Sequence, residues 1–334
     1  MTMADVTPSP VAPPAGAPRR FWRDRAVLYG LLALFAVGLA GLISATGWEE
    51  TWAELKKITA LQFIGLLSLS LINYLIRGAR WHLLSRELGL RLALRHSVLH
   101  FVGGFAMTIT PGRIGELVRL RWITRMSGWR VERITPLPLA DRAFDMAAMG
   151  CVLGGAVFLS QAGGISAIPV AALAVGTAII VTRPTLLVKL VEGAFALLRR
   201  FPRPFARLRQ AARSMGVFSP LRVSGPALVL SCIGWIAEGI ALFLLLQWMG
   251  ADITLATATT IFLFSTLAGG LTGAPGGLGG AEAAMMVLLT MNGVELSQAL
   301  AATTVIRITT LWYAIGLGML AFPVAETLSR KART

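Results

Sequence analysis

Charge is what this sequence has least of. Acidic and basic residues together make up 14% of its 334 residues, where a soluble domain carries roughly a quarter. With 55% hydrophobic residues and a mean hydropathy of +0.70, the chain is not an ordinary water-soluble one. Cysteine is also scarce. Cys151 and Cys232 lie inside apolar runs, read as packing residues, and leave the redox compartment open. No Walker A loop, nucleotide fold or GxSxG elbow is present, which argues against ATP-driven transport and serine hydrolysis. No nucleic-acid motif accompanies the net charge of +15, and the basic residues cluster between apolar runs, so nucleic acid is not an expected partner.

What the chain does have is apolar runs of about 20 residues, the length a helix needs to cross ~30 Å of hydrocarbon. In lipid the backbone must satisfy its own hydrogen bonds, so these runs are expected to be helices. Ala, Leu and Gly dominate them without the alternation of a barrel. The predicted fold is an all-α polytopic membrane protein. Full spans are expected near 26–46, 58–76, 134–160, 164–182, 223–248 and 296–322. Two further stretches, 92–124 and 254–291, are broken by Pro and Gly and read as hairpins that enter the membrane and return. Residues 1–25 read as a disordered cytoplasmic tail, 183–222 as a basic cytoplasmic loop and 326–334 as a second tail. The run 26–46 exceeds the ~7–15 residues of a signal core and is read as a retained span.

The basic residues orient this arrangement. Of 31 Lys and Arg, four precede the first span, five lie in 77–95, six in 113–133, nine in 183–222 and three after 329. The predicted outer loops hold only Lys56 and Lys57, beside Glu49, Glu50 and Glu54. Both termini are therefore expected in the cytoplasm, in the inner or plasma membrane. The arginines of 199–213, set among Phe201, Phe205 and Leu208, suit either an anionic leaflet or an ordinary basic loop.

Two places in the chain look alike. Pro111-Gly112-Arg113-Ile114-Gly115-Glu116 and Pro275-Gly276-Gly277-Leu278-Gly279-Gly280, followed by Ala281-Glu282, each break an apolar stretch. Arg142 follows Pro111 by 31 residues and Arg307 follows Pro275 by 32. The expected topology opens the first hairpin inward and the second outward. Units of about 58–160 and 223–322 would then form an inverted repeat, and such broken segments point to a midplane binding site. Proline cannot extend a preceding helix, glycine tolerates a sharp turn, and the freed backbone groups must face protein or a polar cavity. A glycine-rich packing turn is the alternative.

An ionised side chain at the bilayer centre costs several kcal/mol and is a functional candidate. The candidates are Arg113, Glu116, Asp141, Arg142, Asp145, Glu238, Glu282 and Arg307. An arginine fork suits phosphate, and a carboxylate suits an amine or a sugar hydroxyl. The alternative is a set of structural ion pairs. His96 and His100 have a zinc-like spacing but no further ligands, and Asp141 and Asp145 lack a second aspartate cluster, so neither metal nor cofactor is expected.

Asn73 through Arg80-Trp81, the PGRIGE turn with Arg119 behind it, the Asp141-Arg142 helix and the late PGGLGGAE turn together resemble the flippase-like family of the lysylphosphatidylglycerol synthase transmembrane region, over about residues 25–325. That resemblance implies translocation of an aminoacylated phospholipid headgroup from the inner to the outer leaflet. Full-length synthases also carry an aminoacyl-transfer domain after the membrane part, which is not found before Thr334. Stand-alone members imply a wider choice of lipid. The expected function is a lipid flippase, with Arg113, Arg142 and Arg307 on the phosphate and Glu116, Glu282, Asp145 and Glu238 on the headgroup. Two rivals are a membrane enzyme acting on a headgroup and a scaffold docking a soluble lipid-modifying enzyme through 183–222. The glycine-rich faces also suit a homo-oligomer.

Overall fold

The computed structural model describes residues 48–108, 115–159, 183–198 and 212–332, together with 172, 176, 206, 209 and 210. The tail 1–25 and the expected span 26–46 lie outside the described residues, as does all of 164–182 but residues 172 and 176. Among the described residues the structure is helical, without strands. A short helix α1 (Trp48–Lys56) leads into α2 (Ala60–Glu87). The entry to α2 is fixed by a capping box: Gln62 N donates to Thr59 Oγ1 and Thr59 N donates to Gln62 Oε1 at 2.8 Å, which satisfies two otherwise orphaned donors. Next come α3 (Leu94–Gly103) with a 3-10 turn at Gly104–Met107, then α4 (Gly115–Ser127), the single turn α5 (Val131–Ile134) and α6 (Pro136–Leu159). Helix α7 (Pro184–Leu198) precedes α8 (Leu221–Trp248), α9 (Leu255–Leu271), a 3-10 turn at Pro275–Gly277 and α10 (Gly280–Met291). The chain closes with α11 (Leu296–Arg307), a π-helical turn at Ile308–Trp312 and α12 (Tyr313–Lys331).

Four of these units are long and apolar enough to cross a membrane: Ala60–Glu87, Val131–Leu159, Leu221–Trp248 and Leu296–Lys331. Helices α9 and α10 are apolar but shorter, at 17 and 12 residues. At 1.5 Å per residue they reach only about 25 and 18 Å. They pack against each other as a hairpin with the Pro275–Gly277 turn at its tip.

Helices α2 and α8 form the central pair. The two are flanked in a crossed manner, α3 packing on both α2 and α12 and α9 packing on both α8 and α6. The face of α2 turned outward carries Leu61, Ile64, Ile72 and Leu75, all exposed, while Ser70, Asn73, Arg77 and Arg80 are buried. That is the reverse of a water-soluble helix and is what a lipid solvent demands. Apolar side chains pack in two clusters, one around Trp81, Phe101 and Phe144 and one around Leu242, Phe262 and Leu289.

The two ends of the bundle differ in charge. Arg222 reaches Glu87 at 3.3 Å, and Arg121 and Arg125 reach Glu326 at 2.6 and 2.8 Å, so the C-terminal ends of α2, α4 and α12 meet the start of α8 at one basic end. At the other end α1 packs on α11, and Glu54, Asp252 and Glu295 gather near Lys57.

Several boundaries depart from the sequence expectation. The span expected to stop at residue 76 runs to Glu87, which moves Arg77 and Arg80 from a cytoplasmic loop into the helical interior. The last helix runs to Lys331 rather than 322, so 326–331 is not a free tail. It is held because the Glu326 carboxylate accepts from Arg121, Trp122 Nε1, Arg125 and Arg330 at 2.6–2.9 Å. The stretch expected as a basic loop contains α7 and a 3-10 turn at Met215–Phe218; Leu186, Leu190, Val191 and Phe195 of that helix recur at helical spacing.

Candidate functional site

Between the two apolar clusters lies a cavity of about 210 Å³. Its floor is the central pair, through Asn73, Tyr74 and Arg77 of α2 and Trp235 and Glu238 of α8. The 3-10 turn after α3 contributes Phe105, the hairpin tip contributes Gly276 and Gly277, and the π-helical turn contributes Thr310 and Leu311. The charged residues lining it, among those described, are Arg77, Arg119, Arg142, Arg307 and Glu238.

Helical spacing explains the α2 face. Ser70, Asn73, Arg77, Arg80 and Leu84 recur every three or four residues and so point one way. Arg80 is fully buried. Its Nη2 donates to Asp141 Oδ1, and its Nη1 donates to Ser231 Oγ and, at 2.8 Å, to Asp145 Oδ1. Asp145 also accepts from Arg77 Nη2 and lies 3.6 Å from Arg142 Nη1. One carboxylate thus gathers three guanidiniums from behind the cavity wall. Buried charges of this kind persist only when paired and hydrogen bonded.

The second half repeats the device with different parts. Arg307 ends α11 and donates from Nε to Glu282 Oε1 at 2.6 Å and from Nη2 to the Gly276 carbonyl at 2.9 Å. The arginine therefore ties α10 to the hairpin tip and satisfies a carbonyl that no helix could. Gly276, Gly277 and Gly279 have φ of 65°, 69° and 81°, in the left-handed region that side chains with a Cβ disfavour. After Arg307 the helix widens into the π turn, and the Thr310 carbonyl accepts from the Tyr74 hydroxyl. Such π turns recur at functional sites.

Arg119 enters from α4 and is 3% exposed. Its guanidinium lies 4.4 Å from the Phe101 ring centroid and 5.5 Å from those of Trp81 and Phe105. Rings at this range attract a cation, more so when water is excluded. Gly104 makes the room, since a Cβ there would sit 2.0 Å from Arg119 Nε.

The sequence-predicted residues divide into four groups. Arg142, Arg307 and Glu238 line the cavity, as do Gly276 and Gly277. Asp141, Asp145 and Glu282 stand behind the wall, on the arginines. Pro275 begins the 3-10 turn at the tip, and Gly279, at φ 81°, leads from it into α10. Pro111, Gly112 and Arg113 lie outside the described residues; Gly115 and Glu116 open α4, and the side chain of Glu116 lies outside as well. Sequence reasoning did not select Arg77, Arg119, Tyr74 or Trp235 as site residues. The three-to-four spacing of polar residues from Ser70 to Arg80 carries the signal for Arg77.

Counting charge around the cavity gives five arginines (77, 80, 119, 142 and 307) against four carboxylates (141, 145, 238 and 282). With all of them ionised one positive charge remains among the described residues. No group of three or more metal-ligating His, Cys, Asp or Glu side chains forms among these residues. The arrangement suits an anion: forked donors fixed from behind, in a cavity among apolar helices, where electrostatic attraction is stronger than in bulk water.

The family model of the lysylphosphatidylglycerol synthase transmembrane region matches residues 27–318. The chain belongs to this family. Two relatives, each called a UPF0104 membrane protein of Methanothermobacter thermautotrophicus, are similar to it. One is 25% identical over 321 residues, covering 88% of this chain and 94% of its own length. The other is 25% identical over 267 residues, covering 73% and 77%. Membership in the family and the long apolar helices together make this a polytopic membrane protein.

Proposed function

We propose that this protein is a lipid flippase, moving an anionic phospholipid or another lipid with a polar phosphate-bearing headgroup between the leaflets of the cytoplasmic membrane. The observation that carries this reading is the cavity itself. It brings four guanidiniums, of Arg77, Arg119, Arg142 and Arg307, to one small space among apolar helices. The headgroup phosphate would lie among these forks, and the acyl chains would stay in lipid, so only the headgroup needs a polar path. The crossed packing of α3 on α12 and of α9 on α6 supports an inverted repeat of two units. The short α9–α10 hairpin, with its glycine-rich tip on the cavity, supports a re-entrant element in the second unit. The basic end of the bundle favours the cytoplasmic side for that end, where α12 finishes; with a span at 26–46, as the sequence leads one to expect, the N-terminus would be cytoplasmic too.

On this reading the protein moves lipid without altering it, takes no cofactor, and has the lipid as its partner. A headgroup-modifying enzyme would need reacting groups, whereas Asp141 and Asp145 are occupied by arginines. The test is the leaflet distribution of each lipid class in cells with and without the gene, read with an impermeant headgroup label. A lipid that accumulates in one leaflet and is lost from the other on deletion, its total unchanged, supports flipping. A lipid lost from both leaflets would point to synthesis and sink this reading.

A further inference from the structure

The carboxylates buried or half-buried around the cavity, among the described residues, are of two kinds. Asp141 faces Arg80, Asp145 faces Arg77, Arg80 and Arg142, and Glu282 faces Arg307. Glu238 differs. It is 2% exposed, and its hydrogen-bond donors are neutral: Asn73 Nδ2 to Oε1 at 2.7 Å and Ser70 Oγ to Oε2 at 3.2 Å.

This difference has a chemical consequence. A guanidinium in contact holds a carboxylate in its ionised form, whereas an amide and a hydroxyl serve both forms. The Ser70 hydroxyl donates to a carboxylate and, turned about its C–O bond, accepts from a carboxylic acid. Asn73 Oδ1 is buried with no partner among the described residues, so rotation of that amide offers a second acceptor for the acid proton. The frame around Glu238 therefore accommodates the residue with or without a proton, and no backbone change is needed.

The charged surroundings link that proton to the cavity. From α2 the cavity wall facing Glu238 presents Tyr74 and Arg77; from α6, Arg142, with Asp145 behind it; from α4, Arg119; and from α11, Arg307. Helix α9, which also packs on α8, brings Phe262 and Thr266 to the cavity and has no ionisable side chain. With the cavity empty, the guanidiniums favour the carboxylate. An anion among them offsets their field and repels a negative charge on Glu238.

We infer that Glu238 is a proton-binding site whose occupancy is linked to an anion, a phosphodiester, in the cavity. By reciprocity each ligand then raises the affinity for the other. A monoanionic phosphodiester entering with one proton leaves the net charge of the cavity unchanged, so the loaded and empty forms are electrically alike. The proton lands on a carboxylate oxygen of Glu238 on loading and leaves when the anion departs. This inference rests on the cavity being the headgroup site, and it adds the consequence that a pH difference drives the lipid toward the more alkaline side.

The test uses the full chain in phosphatidylcholine nanodiscs, with infrared difference spectra recorded across a pH titration. A carboxylic acid C=O band should grow as pH falls, be absent from Glu238→Gln and be displaced in Ser70→Ala. The second variant assigns the band even if the first folds poorly. Adding phosphatidylglycerol should raise the titration midpoint by about one pH unit, a tenfold change in proton affinity. Soluble glycerophosphoglycerol distinguishes the source of the anion: a shift with it alone would keep the linked proton site and overturn its assignment to lipid. A band that titrates identically with and without either phosphodiester would overturn the linkage, even if lipid is shown to cross. A midpoint that moves while no lipid crosses would uphold the linked proton site and defeat the transport reading instead.

Discussion

Replacing Arg80 by Met removes the most deeply buried guanidinium and tests whether the interior charges behave as a low-dielectric network. Arg80 is 0% exposed and Asp141 is 1% exposed. Asp145 keeps Arg77 and Arg142, but Arg80 supplies the only ion pair that Asp141 has among the described residues. The cost should therefore come chiefly from stranding Asp141, and removing one partner of a buried pair costs about 3–5 kcal/mol. Restoring neutrality with Asp141→Asn in the same chain should recover a coupling energy of about 2 kcal/mol. The remainder reflects the lost contacts to Ser231 and Asp145, near 1 kcal/mol each. Thermal unfolding in detergent, followed by tryptophan fluorescence, reads the effect. On the scaling of soluble domains, about 2–4 °C per kcal/mol, the single variant should melt on the order of 10 °C lower and the double variant distinctly higher than the single. A cost below ~1 kcal/mol, as exposed pairs give, or strictly additive effects in the double variant would refute the buried network.

Two further outcomes follow from local geometry. Gly104→Ala places a Cβ 2.0 Å from Arg119 Nε and should displace that guanidinium from its aromatic cage. The expected cost is about 1–3 kcal/mol, with a loss of lipid movement of at least tenfold. Gly155→Ala, which meets nothing within 4 Å, should change neither property. Glu326→Ala removes the acceptor shared by Arg121, Trp122, Arg125 and Arg330 and should loosen α4 from α12. Hydrogen exchange across 115–127 should rise at least tenfold while helical content holds; unchanged protection there would contradict the clasp.

The helical membrane class was legible because lipid imposes it: a run of apolar residues long enough to cross can only be helix. The glycine-rich tip at 275–279 was legible for a similar reason, since proline and repeated glycine leave the backbone few other options. Arg77 and Arg80 were harder to place. In sequence they mark the point where hydropathy falls, which mimics the end of a span. The helix continues because Asp141 and Asp145, more than 60 residues away in the chain, supply the counter-charge. Nothing local records that pairing. Arg119 was hidden in the same way, its place set by Gly104 and by rings from two other helices. The carboxylates expected to touch a headgroup were chosen by charge type alone. Geometry separates Glu238, which lines the cavity on neutral partners, from Asp141, Asp145 and Glu282, which hold arginines in position.

The most direct test of the transport reading is movement of a headgroup-labelled phosphatidylglycerol across vesicles that contain the purified chain. Quenching of the outer-leaflet label by an impermeant reagent reports how much lipid has crossed. The wild-type chain should carry label from the inner leaflet to the quencher well above the rate of protein-free vesicles. Arg77→Met with Arg307→Met should return the rate to that background while the protein stays folded. Wild-type vesicles that match protein-free ones for phosphatidylglycerol and for every other phosphate-bearing lipid tried, or a double variant as active as the wild type, would contradict the account.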